Sequence, residues 1–315
     1  MDTLPTYSLK ILASVGALSL GTFVLKTLLV LLQTFVLGGK SLAKYASNNK
    51  EAWAVVTGAT DGIGKEFAFQ LAAAKYNIIL VSRTQGRLDD TASEIGKRYG
   101  RSTRTIAVDF EFASDHDFNR IAQSINDLDI AILVNNVGRS HEMPVAFAET
   151  ALNEQKAIIA INVNATLRVT SLVLNKMLAR KRGLVLTLSS FAGVIPSPLL
   201  ATYSGSKAFL QTWSDALQSE LKGSGVDVEC VSTYFVSLNP ENKVSNMSRI
   251  RRASMLIPMP EDYVSAVLRK IGVPCGALWT GRPSTSTPFW SHSLLDFVIH
   301  CIGWKGAFIR YTLSG

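Results

Sequence analysis

Cysteine is scarce in this chain. Only Cys230, Cys275 and Cys301 occur among 315 residues, an odd number too widely spaced for a disulfide framework. A reducing compartment is the natural setting. No CxxC pair and no Cys/His cluster is present, so no metal site is expected. Charge is scarce too, with Asp, Glu, Lys and Arg making up 18% of the chain. The net charge is +8, and half of it lies in the first 50 residues, where Lys10, Lys26, Lys40, Lys44 and Lys50 face only Asp2. The remainder carries no basic stripe and no recognisable module, which argues against nucleic acid as a partner. The short runs Arg180-Lys181-Arg182 and Arg249 to Arg252 read as solvated or membrane-facing patches. Internal repeats and low-complexity segments are absent, which excludes repeat architectures and tethers.

Apolar residues, by contrast, are plentiful. At 47% hydrophobic the chain is not disordered, and its length suits one large domain with appendages. The mean hydropathy is positive, so part of the apolar content is expected in a membrane segment. Ile11 to Gly39 is that segment, broken only by Lys26, Gln33 and scattered Ser and Thr. A bilayer-crossing helix needs about 20 residues, and this run is longer. Its length and flanks distinguish it from a cleaved signal peptide. Lys26 must snorkel, face a partner, or split the run into a span and an interfacial piece. Lys40, Lys44 and Lys50 follow the run and only Lys10 precedes it, which places the C-terminal bulk in the cytosol.

The body alternates strands and helices. Strands are expected at Ala52–Thr57, Asn77–Ser82, Thr103–Val108, Ile130–Asn135, Gly183–Leu188 and Val226–Thr233. Helices are expected over Gly62–Lys75, Thr84–Tyr99, Ser114–Ile125, Ala151–Ala179 and Ala201–Leu221. Near-continuous apolar strands separated by helices predict an α/β fold with a doubly wound parallel sheet. Three segments follow: an anchor over 1–45, a dinucleotide-binding domain over 46–283, and an apolar C-terminal segment over 284–315.

After the first strand comes Thr57-Gly58-Ala59-Thr60-Asp61-Gly62-Ile63-Gly64. Glycines in a strand-to-helix turn let a pyrophosphate approach, and the helix N-terminus offers free N–H groups and a positive dipole end. About twenty residues on, where a ribose-binding carboxylate is usual, the chain has Ser82-Arg83. A carboxylate repels a 2′-phosphate and a guanidinium clamps it, so NADPH is favoured over NADH. Further on, Tyr203 and Lys207 lie four residues apart at a helix start and point the same way. A phenol titrates near pH 10, too high for ready proton transfer. The neighbouring ammonium and an oxidised nicotinamide ring are expected to lower that value. Ser190, ahead of Tyr203 at the end of the fifth strand, can hold a carbonyl oxygen beside the phenol.

The TGATDGIG turn, Asn135-Asn136-Val137-Gly138, Ser190 and Tyr203…Lys207 resemble the short-chain dehydrogenase/reductase family over about residues 50–280. Within it, NNVG, the stretch Ile195–Lys207, Tyr234-Phe235-Val236 and Met247–Ser254 resemble the 3-oxoacyl-CoA reductases of microsomal fatty-acid elongation. The resemblance implies roles by position. Gly58, Thr60, Asp61, Gly62, Ile63 and Gly64 would cradle the cofactor phosphates. Asp109 would contact adenine, Asn135 would stabilise the central strands, and Asn136 would lie beside the cofactor. Asn162, favoured over its neighbour Asn164, would hold a water linking Lys207 to solvent. Ser190 would polarise the ketone and Tyr203 would donate the proton. Lys207 would bind the nicotinamide ribose, with Val236 and Ser237 near the carboxamide. The implied reaction is NADPH-dependent reduction of a long or very-long-chain 3-oxoacyl-CoA. Membrane lipid would be a partner, as would an elongase, a dehydratase and an enoyl reductase. The implied location is the endoplasmic reticulum membrane, with the catalytic domain facing the cytosol. A 17β-hydroxysteroid or other lipid ketone reductase would use the same residues, and so would the body of a catalytically silent scaffold.

Three features depart from the family pattern. Tyr234-Phe235 replaces the usual Pro-Gly, and Thr233 stands where relatives commonly have Pro. Ser237–Asn246 is additional sequence in the loop expected to cover substrate. No lysine-rich retrieval sequence ends the chain at Tyr311–Gly315, so retention would rest on the span or on partners. Near the C-terminus, His292, Asp296 and His300 recur every four residues on one helical face. An interfacial helix with a polar stripe is expected there, with Trp290 and Trp304 near the headgroups, and the same helix can line an acyl entrance. Met255–Met259 is expected either in that groove or in the core.

Overall fold

The computed structural model describes residues 6–46, 51–237, 254–277, 279–303, 306 and 309–310. The additional loop sequence from 238 onward, most of the Met247–Ser254 stretch, Trp304 and the run 249–252 lie outside the described residues. Apolar strands feed a single sheet: β1 (Ala52–Thr57), β2 (Asn77–Ser82), β3 (Thr103–Ala107), β4 (Asp129–Asn135), β5 (Gly183–Ser190), β6 (Val226–Thr233) and β7 (Thr285–Ser286). Their order is β3-β2-β1-β4-β5-β6-β7, with every neighbouring pair parallel. The short edge strand β7 has too few residues to leave a periodic signal.

Residues along each strand alternate between two buried faces. Ala54, Val56, Ile78 and Leu80 meet one layer of helices, and Val55, Ile79, Val81 and Leu133 meet the other. The helices, in chain order, are α1 (Thr6–Leu31), α2 (Gly62–Ala73), α3 (Gln85–Tyr99), α4 (Asp115–Ile125), α5 (Leu152–Ile159), α6 (Ala165–Ala179), α7 (Phe191–Val194), α8 (Ala201–Glu220), α9 (Pro260–Arg269) and α10 (Trp290–Ile302). The winding reverses between β1 and β4, and the crevice beyond the carboxyl ends of strands at such a point is where dinucleotides bind.

The expected long helix over 151–179 is interrupted. A π-helical turn, Ala160–Asn164, separates α5 from α6. It places Asn162 in the interior, whereas Asn164 is exposed. Such single-turn insertions re-aim one side chain without breaking the helix.

Helix α1 stands away from the body. With the π-helical turn Leu32–Val36 it gives a 30-residue apolar stretch, Tyr7–Val36, long and apolar enough to cross a bilayer. It starts earlier than the apolar run because Thr6 to Lys10 are already helical. Leu152–Ala179 passes the same length test, but it covers the sheet as a core helix. Lys26 faces a partner: its Nζ lies 5.2 Å from the centroid of the Trp279 ring.

The segment after α1 is bound to the body. Gly39 N donates to Arg269 O and Lys40 N to Ile271 O, both at 2.8 Å. Lys270 Nζ reaches back to Gln33 O at 2.8 Å. Lys40, Lys44 and the Tyr45 hydroxyl all converge on Asp227, at 2.8, 2.9 and 2.7 Å. Arg180, expected in a solvated patch, is instead half-buried. It pairs with Asp129 at 3.0 Å and donates to Tyr45 O at 2.9 Å.

The C-terminal helix also corrects the expectation. The stripe on α10 faces the protein, and His292, Ser293 and Asp296 are fully buried. Asp296 receives Arg282 at 3.1 Å and Thr287 at 3.1 Å, with His300 Nδ1 3.1 Å away. The His292 ring stacks on Tyr234, with centroids 5.1 Å apart, and donates from Nε2 to Leu256 O at 3.0 Å. Burial pushes this imidazole down to about 4, so it is neutral. The three residues therefore join α10 to the body. α10 also packs against α1 and the π-helical turn that follows it, through Phe297 on Phe23, Trp290 on Phe35, and Ser293 Oγ 2.7 Å from Thr34 Oγ1.

Candidate active site

The turn between β1 and α2 is built for close approach. Gly58 sits at φ +67°, in the left-handed region, and a Cβ there would press on Asn136 and Val137. A Cβ on Gly64 would overlap Gly58 O. Asn136 locks the turn from β4: its Nδ2 donates to Thr57 O at 3.0 Å and its N to Thr57 Oγ1 at 3.0 Å. Thr60 Oγ1 lies 2.9 Å from Ser82 Oγ, joining the turn to the end of β2 beside Arg83. Asp61 caps α2, its Oδ1 accepting from Gly62 N at 2.8 Å. Burial raises the Asp61 carboxyl, and its bond to Gly62 N and the charge of Arg87 pull the other way. Arg87, in the first turn of α3, thus joins Arg83 near the cradle. It went unnoticed in the sequence because no spacing rule marks it. Ile63 is half-buried against the core. Arg83 and Asp109 are exposed at the ends of β2 and β3.

The other half of the site lies at the carboxyl end of β5. Ser190 ends that strand and caps α7, accepting from Ala192 N at 3.2 Å. Tyr203 and Lys207 come from the first two turns of α8, on one side of the helix. A hydrogen bond from Ser190 favours the Tyr203 phenolate, but burial dominates and raises the phenol above its ordinary value. Among the protein groups alone, desolvation of the phenolate outweighs the hydrogen bond from Ser190. Lys207 is buried, donates from Nζ to Leu188 O at 2.9 Å, and lies 5.8 Å from the Tyr203 ring centroid. Burial lowers the ammonium to about 8. Its position is set by contact: a Cβ on Gly193 of α7 would fall 2.6 Å from the Lys207 carbonyl carbon.

Asn162 does not reach Lys207 directly. Its Oδ1 accepts from Arg139 N at 2.7 Å, and its Nδ2 donates to Arg139 O at 3.0 Å and to Ser206 Oγ at 2.9 Å. Asn135 Nδ2 donates to Thr170 Oγ1 at 2.9 Å, joining β4 to α6. Val236 and Ser237 are buried after β6, and the Ser237 amide and hydroxyl both donate to Pro258 O, at 2.9 and 3.0 Å. Phe191, next to Ser190, stacks on Tyr234 with centroids 4.1 Å apart. That stack continues to His292 of α10, so the C-terminal helix is linked through Tyr234 to the residue beside Ser190. Among the described residues, no three His, Cys, Asp or Glu side chains converge as a metal cluster would need.

These parts fit a dinucleotide. The glycine turn is packed so closely at Gly58 and Gly64 that a Cβ would collide with it, while Gly62 faces open space, and the buried Lys207 ammonium and half-buried Tyr203 phenol stand at the carboxyl end of the same sheet. The short-chain dehydrogenase family profile matches residues 52–248. The very-long-chain 3-oxoacyl-CoA reductase of Laccaria bicolor is 51% identical over 306 residues, covering 97% of this chain and 88% of that protein. Among solved structures, a 7β-hydroxysteroid dehydrogenase aligns with TM-score 0.69 at 22% identity, over 84% of this chain and 97% of its own. A short-chain dehydrogenase from Sphingobium yanoikuyae, in complex with NADPH, aligns with TM-score 0.63 at 21% identity, over 84% and 95%. At those identities the structural likeness speaks to the fold.

Proposed function

This chain belongs to the short-chain dehydrogenase family, and from that premise we propose that it reduces the 3-keto group of long or very-long-chain 3-oxoacyl-CoA with NADPH. The carrying observation is the half-buried Tyr203, hydrogen-bonded to Ser190 and one helical turn from the buried Lys207. The 51% identity to an elongation reductase over nearly the whole chain supports the choice of substrate. A nicotinamide bound along the crevice would supply the hydride. Ser190 holds the ketone oxygen, and Tyr203 gives that oxygen its proton. A phenol raised above its ordinary value is protonated at neutral pH, which suits reduction; the reverse reaction would need the phenolate. Lys207 is mostly charged at pH 7 and holds the ribose hydroxyls. Gly58 to Gly64 take the pyrophosphate, Arg83 the 2′-phosphate, Asp109 the adenine, and Asn136, Val236 and Ser237 flank the ring.

The anchor over 1–45 and the segment over 284–315 would hold the reductase domain, 46–283, against the membrane of the endoplasmic reticulum, facing the cytosol. Membrane lipid would surround α1, and an elongase, a dehydratase and an enoyl reductase would act on the same acyl chain. The test is NADPH oxidation by the full chain in detergent, with 3-oxoacyl-CoAs of graded length, steroid ketones, and NADH in parallel. Turnover rising with acyl length, and faster with NADPH than NADH, is expected. Turnover of steroid ketones alone would overturn the substrate, and no turnover of any ketone would leave the silent scaffold.

A further inference from the structure

The catalytic helix α8 begins without a cap of its own. Helix N-termini leave their first N–H groups unpaired, and a side chain at the capping position usually takes one of them. The capping residue here is Leu200, which has no side-chain acceptor. It follows Leu199, held at φ +65°, in the left-handed region that a non-glycine residue adopts only under constraint. Ser204 N is the first amide of the helix to reach a backbone acceptor, Leu200 O at 2.8 Å. Tyr203 N lies one residue before it, so it has none within the helix.

An acceptor comes from elsewhere in the chain. His141, in the loop after β4, receives the Tyr203 N–H on Nε2 at 3.4 Å. Its side chain is 1% exposed, and Nδ1 lies 2.9 Å from Glu154 Oε1 of α5. If Nε2 accepts, Nδ1 carries the proton and donates to the carboxylate, so Glu154 sets the tautomer that makes the cap. Glu154 Oε1 also accepts from Glu142 N at 3.1 Å, fixing the loop on the far side of the imidazole. A lone pair aimed at a helix N-terminus, with an anion behind it, also matches the helix dipole.

The carbonyl of Tyr203 is held as well. Ser206 Oγ donates to Tyr203 O at 2.7 Å, and Asn162, which clasps Arg139 at the head of the same loop, donates to Ser206 Oγ at 2.9 Å. Both polar groups of the Tyr203 backbone are therefore held by one connected set of side chains running through the loop 139–142. The phenol hydroxyl sits at the end of a long side chain, where a small rotation of the backbone becomes a large displacement.

We propose that His141, oriented by Glu154, is a cap supplied from outside to the catalytic helix, and acts as a positioning residue that holds Tyr203 in line with the ketone. The proposal rests on the reductase reading for its catalytic consequence, but the cap itself can be measured without turnover. The decisive comparison is His141→Ala, which removes the acceptor, against His141→Gln, whose Oε1 reaches about as far as Nε2. In the full chain with NADPH bound, amide hydrogen exchange over Leu200 to Ser204 should quicken in His141→Ala and stay near wild type in His141→Gln. The kcat of His141→Ala should fall roughly 10- to 100-fold, as small misplacements of reacting groups do, with KM and NADPH affinity unchanged and most of the loss restored in His141→Gln. Unchanged exchange in His141→Ala would overturn the cap, even if wild type reduced none of the ketones tried. Faster exchange with unchanged kcat would overturn the positioning role. Equal loss of kcat in both variants, with weaker NADPH binding, would make the residue merely structural. Should His141→Ala not fold, Glu154→Gln decides, because it keeps an acceptor for Nδ1–H while removing the anion: a smaller loss of kcat at unchanged NADPH affinity is expected, and no change would overturn the role given to Glu154.

Discussion

The two ends of the parallel sheet bury titratable groups of opposite kind, a lysine at one and a glutamate at the other. At the carboxyl end, beside β5 and β6, Lys207 is buried and lowered to about 8. Toward the amino end of β6, where Lys40 and Lys44 dock, Glu229 is buried and raised to about 8. Desolvation drives both shifts, yet the consequences at neutral pH are opposite. Glu229 is mostly protonated there; it accepts from Gly272 N at 2.7 Å on one oxygen, while the other has no partner among the described residues. Lys207 keeps most of its charge, with Leu188 O as its one hydrogen-bond acceptor among the described residues. A structural end can let a buried group go neutral, whereas the end proposed to react must hold a poorly solvated charge ready.

Breaking the reactive end should give the largest effect. Tyr203→Phe should lower kcat about 10³-fold, within the range usual for loss of a positioned proton donor, while NADPH affinity measured by fluorescence stays put. The contrast between the buried charges sharpens in pH-dependent melting. Lys207 bears about 3 kcal/mol against folding while charged, a penalty full below about pH 8 and relieved as pH rises toward 10.5, where the unfolded lysine also discharges. Glu229 works the other way, because it is more easily ionised in the unfolded chain. Stability it confers at low pH is lost as pH climbs from 4.5 to about 8, at a cost of a few kcal/mol. The wild-type melting temperature should therefore fall over the lower window and rise over the upper one. Glu229→Gln should flatten only the fall, and Lys207→Met only the rise; melting curves of Glu229→Gln that still decline from pH 4.5 to 8 would remove Glu229 as the cause.

Weaker effects are expected from exposed groups. Arg83→Asp should reduce the preference for NADPH over NADH roughly 10- to 100-fold, the scale of one lost charge-assisted contact plus a repulsion, read from kcat/KM with each cofactor. Smallest of all, Asp227→Ala should cost about 1–2 kcal/mol: its partners Lys40 and Lys44 are 42% and 49% exposed and screened by salt, and the Tyr45 hydroxyl loses one acceptor. A melting temperature that high salt lowers in wild type but not in Asp227→Ala is the expected signature.

Much of this arrangement could be read before any coordinates. Strands β1, β2 and β6 begin and end at the expected residues, because a strand buried on both faces leaves an uninterrupted apolar run. Ser190, Tyr203 and Lys207 come together as their spacing suggested, since two of them share a helix and the third ends the adjacent strand. The π-helical turn at Asn162 was hidden, because it changes the direction of one side chain without altering the helical pattern around it. His141 left no signal either, lying 62 residues from Tyr203 in the chain. The stripe on α10 was visible as a period of four, but not its direction: an amphipathic helix does not say whether its polar face meets water or the half-buried Arg282.

Local chemistry thus settled the layers of the fold, the glycine turn, the apolar span and the grouping of Ser190, Tyr203 and Lys207, since each depends on residues close in the chain or on simple burial periodicity. Packing alone decided the protonation of those groups, the docking of α10 on α1 and of Lys40 on Asp227, and the outside cap on α8. Desolvation and long-range hydrogen bonds depend on what surrounds a side chain in space, and that environment exists only after the chain has folded.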